Sequence, residues 1–298
     1  MNSNPVLEKL GFADDDRLVI LHADDVGMCQ ASLTAFADLV EFGLLSSGAT
    51  MVPCPWFPAV AAYCHEHPGI DLGVHLTLTS EWDGYRWGPI STRDPATGLL
   101  DDEGYFHHRS EGAQEQADPA AVQREMEAQV ARALAAGIDV THLDTHMGTV
   151  AHPKFVTGYV QLALQHRLPP MVLRLDAAGW RAFGMDGEMA ALATMFVAQL
   201  EAQDVPLIDH LVALPLDEEP GDRLALAKQQ LDGLPPGLTH FIIHPAADTP
   251  ELRAITRSWR SRVADYETFR SEQLRDHVRN TGLHVIGYRA LRDLMRTI

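Results

Sequence analysis

Cysteine is scarce: Cys29, Cys54 and Cys64 are the only three in 298 residues, and no CxxC pair occurs. Three thiols cannot all pair within one chain, so a disulfide framework is excluded and a reducing, cytoplasmic setting is expected. Basic residues are also few, with 23 Lys plus Arg against 41 Asp plus Glu and a formal charge of -18. That balance argues against a nucleic-acid partner, whose phosphates need Lys and Arg, and against attraction to an anionic membrane. No apolar run approaches the roughly 20 residues of a transmembrane helix. The opening stretch MNSNPVLEKLGFADDDR lacks a basic region followed by an apolar one, so no secretory signal is expected. No GxGxxG follows the first β-type run, which leaves a dinucleotide fold without local support. Histidine, by contrast, is plentiful, with 15 residues. Imidazole is a common metal ligand and the side chain that moves protons near neutral pH, so the positions of these residues matter most. The 46% hydrophobic and 21% charged content suits a folded chain with a sizeable core rather than disorder.

Short apolar runs alternate with helix-like stretches. Strands are expected at Leu18 to Leu21, Ser47 to Val52, Ile70 to Leu78, Val140 to Asp144, Val172 to Leu175, Ile208 to Leu214, Thr239 to Ile243 and His284 to Tyr288. Between them, helical spacing covers Gln30 to Phe42, a short stretch from Phe57 to Cys64, Ala121 to Ala136, a helix opened by Pro153, Glu188 to Glu201, Asp222 to Leu231 and one long helix from Ser261 to Asn280. A last helical turn is expected at Leu291 to Met295. The segment Ser80 to Pro119 has little periodicity and reads as a long functional loop. Repeated strand–helix units without a composition break predict one α/β domain over residues 1–298 with a mainly parallel sheet. Seven or eight strands suit a complete or distorted β/α barrel.

Histidines and acids recur at the C-terminal ends of these strands. They are His22, Asp24 and Asp25 on the first; His75 on the third; Asp144 and His146 on the fourth; Arg174 and Asp176 on the fifth; and His244 late in the chain. In a β/α barrel those ends meet on one face, where active sites are built. Adjacent carboxylates such as Asp24 and Asp25 serve a helix N-cap or divide their roles between a cation and a proton. His75 lies in an otherwise apolar strand, where a buried imidazole satisfied by the backbone is the ordinary alternative. Asp144 and His146 are two positions apart, a spacing that also suits a carboxylate supporting a liganding imidazole. One Asp with two His suits a facial metal site, although no short zinc motif marks it. His142 lies deeper and is read as structural. His244 is followed by Pro245, which forces a turn and keeps His244 out of helical geometry.

Four pieces, in order, resemble the YdjC-like (ChbG/HpnK-like) carbohydrate deacetylases: His22-Ala-Asp-Asp-Val-Gly-Met28, Gly73-Val-His-Leu-Thr-Leu-Thr79, Thr141-His-Leu-Asp-Thr-His-Met-Gly-Thr149 and Ile243-His-Pro245. Arg262, Asp265 and the region from Gly282 to Arg289 extend the resemblance over most of the chain. It implies a distorted β/α barrel of the deacetylase type and metal-dependent removal of acetyl groups from N-acetylated sugars. By the same resemblance, Asp25, His75 and His146 would hold one divalent metal ion, Zn or Mg. Asp24 would be the general base and His244 the general acid. Three departures concern the substrate more than the reaction: Val26 where Phe is common, Gly148 where many members carry a second His, and Ala246 where Gly is frequent. Trp82, Arg86 and Trp87 in the long loop, with Arg174, are the candidate substrate-binding residues. The expected partner is a small-molecule or oligosaccharide substrate, with no nucleic acid and no membrane; a homodimer stays open. The competing readings are a different metal-dependent hydrolase, such as a phosphoesterase, and a non-catalytic carbohydrate-binding protein that keeps the barrel. The first is disfavoured by the lack of a basic cluster near the proposed site.

Overall fold

The computed structural model describes residues 3–297. Its strands are β1 (Arg17–Val26), β2 (Ser47–Thr50), β3 (Leu72–Leu76), β4 (Val140–Thr145), β5 (His210–Ala213), β6 (Gly237–Ile243) and β7 (Leu283–Val285). The helices are α1 (Pro5–Lys9), α2 (Gln30–Phe42), α3 (Phe57–Glu66), α4 (Ser110–Gln116), α5 (Pro119–Ala135), α6 (Val156–His166), α7 (Ala177–Ala182), α8 (Gly187–Glu201), α9 (Arg223–Asp232), α10 (Pro250–Ile255), α11 (Trp259–Phe269), α12 (Glu272–Asn280) and α13 (Tyr288–Thr297). All strand pairs are parallel, in the order β4-β3-β2-β1-β6-β5, with β7 beside the N-terminal half of β1.

The segment expected as a strand over Val172 to Leu175 is instead the seam that closes the barrel. Pro169 accepts from the Leu143 N–H and Met171 donates back to Leu143. Three residues later the same segment bonds the other side, Ile208 N–H to Val172 O and Arg174 N–H to Ile208 O. Because Pro169 and Pro170 carry no N–H and the chain changes partner within a few residues, no continuous ladder forms; only bridges at Pro170 and Leu173 remain.

Residues along β1 alternate between two environments. Val19, Leu21 and Ala23 join the large apolar core under the helices, whereas Leu18 and Ile20 meet Leu173, Ile208, Leu238 and Tyr288 in a smaller cluster. His22 and Asp24 continue the inward series of Leu18 and Ile20, so the barrel interior turns from apolar to polar toward the C-terminal strand ends.

Two further expectations change. Ser80 to Pro119 is not structureless: it carries a short turn of 3-10 helix at Pro95–Thr97, helix α4 and bridges Thr79–His107 and Leu100–Phe106. Short elements of this size leave no long periodicity to read. The long helix expected over Ser261 to Asn280 is two helices, because the Ser271 side chain accepts from the Leu274 N–H and starts α12 afresh.

Candidate active site

The two adjacent carboxylates reach one cavity because β1 is irregular there. The register with β2 shifts between Ala23 and Val26, and Asp25 adopts a left-handed φ of 60°. A regular strand would send Asp24 and Asp25 to opposite faces; the bulge re-aims one of them. Met147, next to His146, has a φ of 53°. Left-handed backbone at non-glycine residues is costly and gathers at functional sites.

Asp25, His75 and His146 come together with potential ligand atoms all within 4.8 Å of one another. Asp25 Oδ1 lies 3.5 Å from His75 Nε2 and 3.2 Å from His146 Nδ1. Each imidazole is held by a carboxylate on its other nitrogen, His75 Nδ1 by Asp144 at 2.8 Å and His146 Nε2 by Glu81 at 3.1 Å. Asp25 Oδ2 accepts from Arg262 Nη1 at 2.8 Å, while Oδ1 is buried without a hydrogen-bond partner. A buried, orphaned carboxylate oxygen facing two carboxylate-oriented imidazoles is the donor set of a divalent-cation site. The residues present therefore fit a metal.

Asp24 stands beside this trio. Its Oδ1 meets His22 Nδ1 at 2.8 Å, and its Oδ2 lies 3.7 Å from His75 Nε2 and 3.8 Å from His244 Nε2. Burial opposes its charge, but His75 and the bond to His22 win and hold Asp24 ionised, below the usual carboxylate range. Burial likewise opposes the charge on Asp25, and Arg262, followed by His146, holds it low. Burial pushes His244 down to about 4, so it is neutral at pH 7. The backbone N–H of His244 donates to Asp265 Oδ2 at 2.9 Å, and Asp265 in turn binds Arg223 at 2.6 Å.

A cleft of about 280 Å³ opens onto these groups, lined by Asp24, Asp25, Glu81, Trp82, His146 and His244, among others. Trp82 forms one wall, with the Arg262 guanidinium 5.6 Å from its ring centroid. The other three candidate substrate residues lie elsewhere. Trp87 is buried, and its indole N–H donates to Thr79 O at 2.8 Å. Arg86 ties the loop together through Asp101, Phe106 O and His108. Arg174 pairs with Glu201 at 2.6 Å and lines a separate cavity with Asp209 and Ser3. Its expected place on the active face fails because the seam that carries it never becomes a strand.

Sequence reading passed over Glu81, which follows Ser80 at the exit of the third strand and carries no periodic signal. It also left His240 without a role, although that residue lies in the polar interior. At Gly148 a side chain would meet nothing within 4 Å, so the position of the second histidine common in the family is open space.

Parallel closure of the β/α sheet, with a metal-type trio at its C-terminal strand ends, defines an α/β barrel with a candidate metal centre. The family model of YdjC-like proteins matches residues 18–280, and the chain belongs to that family. It is 33% identical over 290 residues to a carbohydrate deacetylase of Thermus thermophilus, covering 97% of this chain and 99% of that one. A carbohydrate deacetylase of Brevibacillus brevis is 32% identical over 151 residues, 51% of this chain and 57% of that one. The fold matches a crystal structure from Enterococcus faecalis V583, of a protein named for cellobiose-phosphate cleavage, with a TM-score of 0.73 at 22% identity. That match spans 93% of this chain and 99% of the other.

Proposed function

We propose that Asp25, His75 and His146 hold a divalent cation, beside which Asp24 and His244 handle the protons of amide hydrolysis. The protein is a metal-dependent hydrolase that removes acetyl groups from N-acetylated sugars. The observation that carries the site assignment is the bare, buried Oδ1 of Asp25 facing an imidazole nitrogen from each of two strand ends. When bound, the cation would polarise the acetyl carbonyl and lower the pKa of water. Two imidazoles and a carboxylate suit Zn better than Mg on ligand softness.

The reaction adds water across the C–N bond of the acetamido group and yields acetate and a free amine. Asp24, ionised at neutral pH, takes a proton from the attacking water through Oδ2, the oxygen turned toward His75 and His244. His244 is neutral in the resting site, so the proton it gives must first reach it. Asp24 Oδ2 is 3.8 Å from His244 Nε2, a gap that one water spans, and is the source of that proton. His244 then passes it to the departing nitrogen, which otherwise leaves as an unstable amide anion.

Trp82 offers an aromatic face to a sugar ring, and Glu81 with Trp82 makes 80–119 a functional loop within the one domain. The relatives named carbohydrate deacetylases support a sugar substrate. No described helix is long and apolar enough to cross a membrane. A cytoplasmic location is supported by three buried, unpaired thiols, and the absence of a nucleic-acid partner by the acidic balance. An anomalous-scattering map of crystals grown with Zn tests the assignment. A single strong peak among Asp25, His75 and His146 is expected; a peak elsewhere with this trio empty contradicts it.

A further inference from the structure

Beneath Asp24 a chain of buried groups runs down the barrel interior. His22 Nδ1 lies 2.8 Å from Asp24 Oδ1, and His22 Nε2 lies 3.0 Å from His142 Nε2. His142 Nδ1 lies 3.0 Å from Thr141 Oγ1, and the Thr141 hydroxyl donates to Asp71 Oδ1 at 2.7 Å. Asp71 also accepts from the Ser47 hydroxyl at 2.9 Å and from the Arg289 N–H at 2.6 Å. His22, His142 and Thr141 are completely buried.

The hydrogens in this chain are countable. Three donors converge on Asp71, so the one hydrogen of Thr141 is spent there. Thr141 Oγ1 then accepts, and His142 must carry its hydrogen on Nδ1. Burial, reinforced by His22 and His240, keeps His142 neutral, so its Nε2 is bare and accepts. That makes His22 the donor at Nε2. With Asp24 ionised, the hydrogen in the 2.8 Å contact between His22 Nδ1 and Asp24 Oδ1 sits on Nδ1, so His22 carries a hydrogen on each ring nitrogen. With Oδ1 occupied, Asp24 has only Oδ2 free toward the cleft. The planes are fixed as well: the His142 ring stacks on Tyr288 with centroids 3.7 Å apart and an angle of 13°. A Cβ at residue 73 would lie 2.4 Å from His142 Cε1, so Gly73 is what lets the ring lie there. His22, Asp24, Asp144 and His240 also lie close enough to suggest a second cation site. Both His22 nitrogens are already engaged at hydrogen-bond distance, which assigns that cluster to the hydrogen-bonded chain instead.

We propose that Thr141, His142 and His22 are positioning residues for Asp24: Thr141 sets the tautomer of His142, the bare Nε2 of His142 accepts from and anchors His22, and His22, donating through Nδ1 to Oδ1, turns Asp24 Oδ2 toward the cleft. This rests on the reading of Asp24 as general base. Its experimental signature needs neither substrate nor metal, so the two readings fail separately. Histidine-¹⁵N-labelled protein is examined by long-range ¹H–¹⁵N spectroscopy, with the His142 signals assigned through His142→Gln. Wild type and Thr141→Ser are expected to show His142 protonated on Nδ1 and bare on Nε2; Thr141→Val, nearly isosteric, loses that pattern. In turnover, Thr141→Val lowers kcat by about tenfold or more with KM within about twofold, and Thr141→Ser restores kcat. A bare His142 Nδ1 in the wild type overturns the proposal. So does a Thr141→Val protein that keeps both the tautomer and kcat.

Discussion

Arg262 and Asp25 meet across 237 residues of sequence, with Nη1 2.8 Å from Oδ2, and the contact leaves the other oxygen of Asp25 facing His75 and His146. Both side chains are buried. Arg262 therefore chooses which oxygen is available to a cation and compensates the charge of a carboxylate that has left water. Removing one partner of a buried pair strands the other, at a cost of about 3–5 kcal/mol. Arg262→Met is expected to lower the unfolding free energy of the metal-free protein by that order in urea titrations. A loss within about 0.5 kcal/mol, the usual range for a neutral surface change, contradicts the role.

Metal binding is expected to release protons. Burial disfavours the charged form of His146, but Glu81 and then Asp25 raise it to about 9. The metal-free protein at pH 7 thus carries a proton on a nitrogen that a cation needs. Apparent affinity rises with pH through the range in which His146 loses its proton, and Asp144 and Asp24 raise His75 in the same direction, with a slope of about tenfold per unit for each proton displaced. Glu81→Gln removes the largest raising influence on His146 and moves its share of the pH dependence to lower pH. Calorimetry in buffers of different ionisation enthalpy measures the released protons directly; an affinity that is flat from about pH 6 to about pH 9 contradicts this.

Asp144 fixes the ring of His75 through Nδ1 at 2.8 Å and lies outside the Asp25, His75 and His146 group. Asp144→Asn is expected to weaken metal affinity by about 10- to 100-fold. Competition against a chromogenic chelator measures it, and affinity equal to wild type contradicts the orienting role.

Asp24→Asn separates proton transfer from metal binding. The amide cannot accept a proton at neutral pH, so turnover falls by about 10²- to 10⁴-fold. Metal content stays at the wild-type stoichiometry. Full turnover by this variant removes Asp24 from the base role.

Much of this was legible in the sequence because strand ends converge in a β/α barrel, so polar residues at each end are neighbours whatever their separation. His75, His146 and Asp25 are of that kind. That Asp24 and Asp25 could both face one cavity was legible from their place at a strand end; the register shift and left-handed residue that bring it about leave no composition signal. Arg174 was misplaced because a run of apolar residues looks like a strand whether or not Pro169 and Pro170 let it pair. Arg86 and Trp87 carry the chemistry of sugar binding but are consumed in folding their own loop. Which of several equally polar loop residues turns inward, as Glu81 does, is decided by tertiary packing alone.

In the proposed function, a cation at Asp25, His75 and His146 drives the hydrolysis of an N-acetyl group on a sugar. Acetate release from a panel of N-acetylated mono- and oligosaccharides tests it, comparing chelator-stripped protein before and after metal is restored. At least one sugar is expected to release acetate and free amine in equal amounts, only with metal present, and not with Asp25→Ala. Equal release by the stripped protein, or none from any sugar by the fully loaded one, contradicts it.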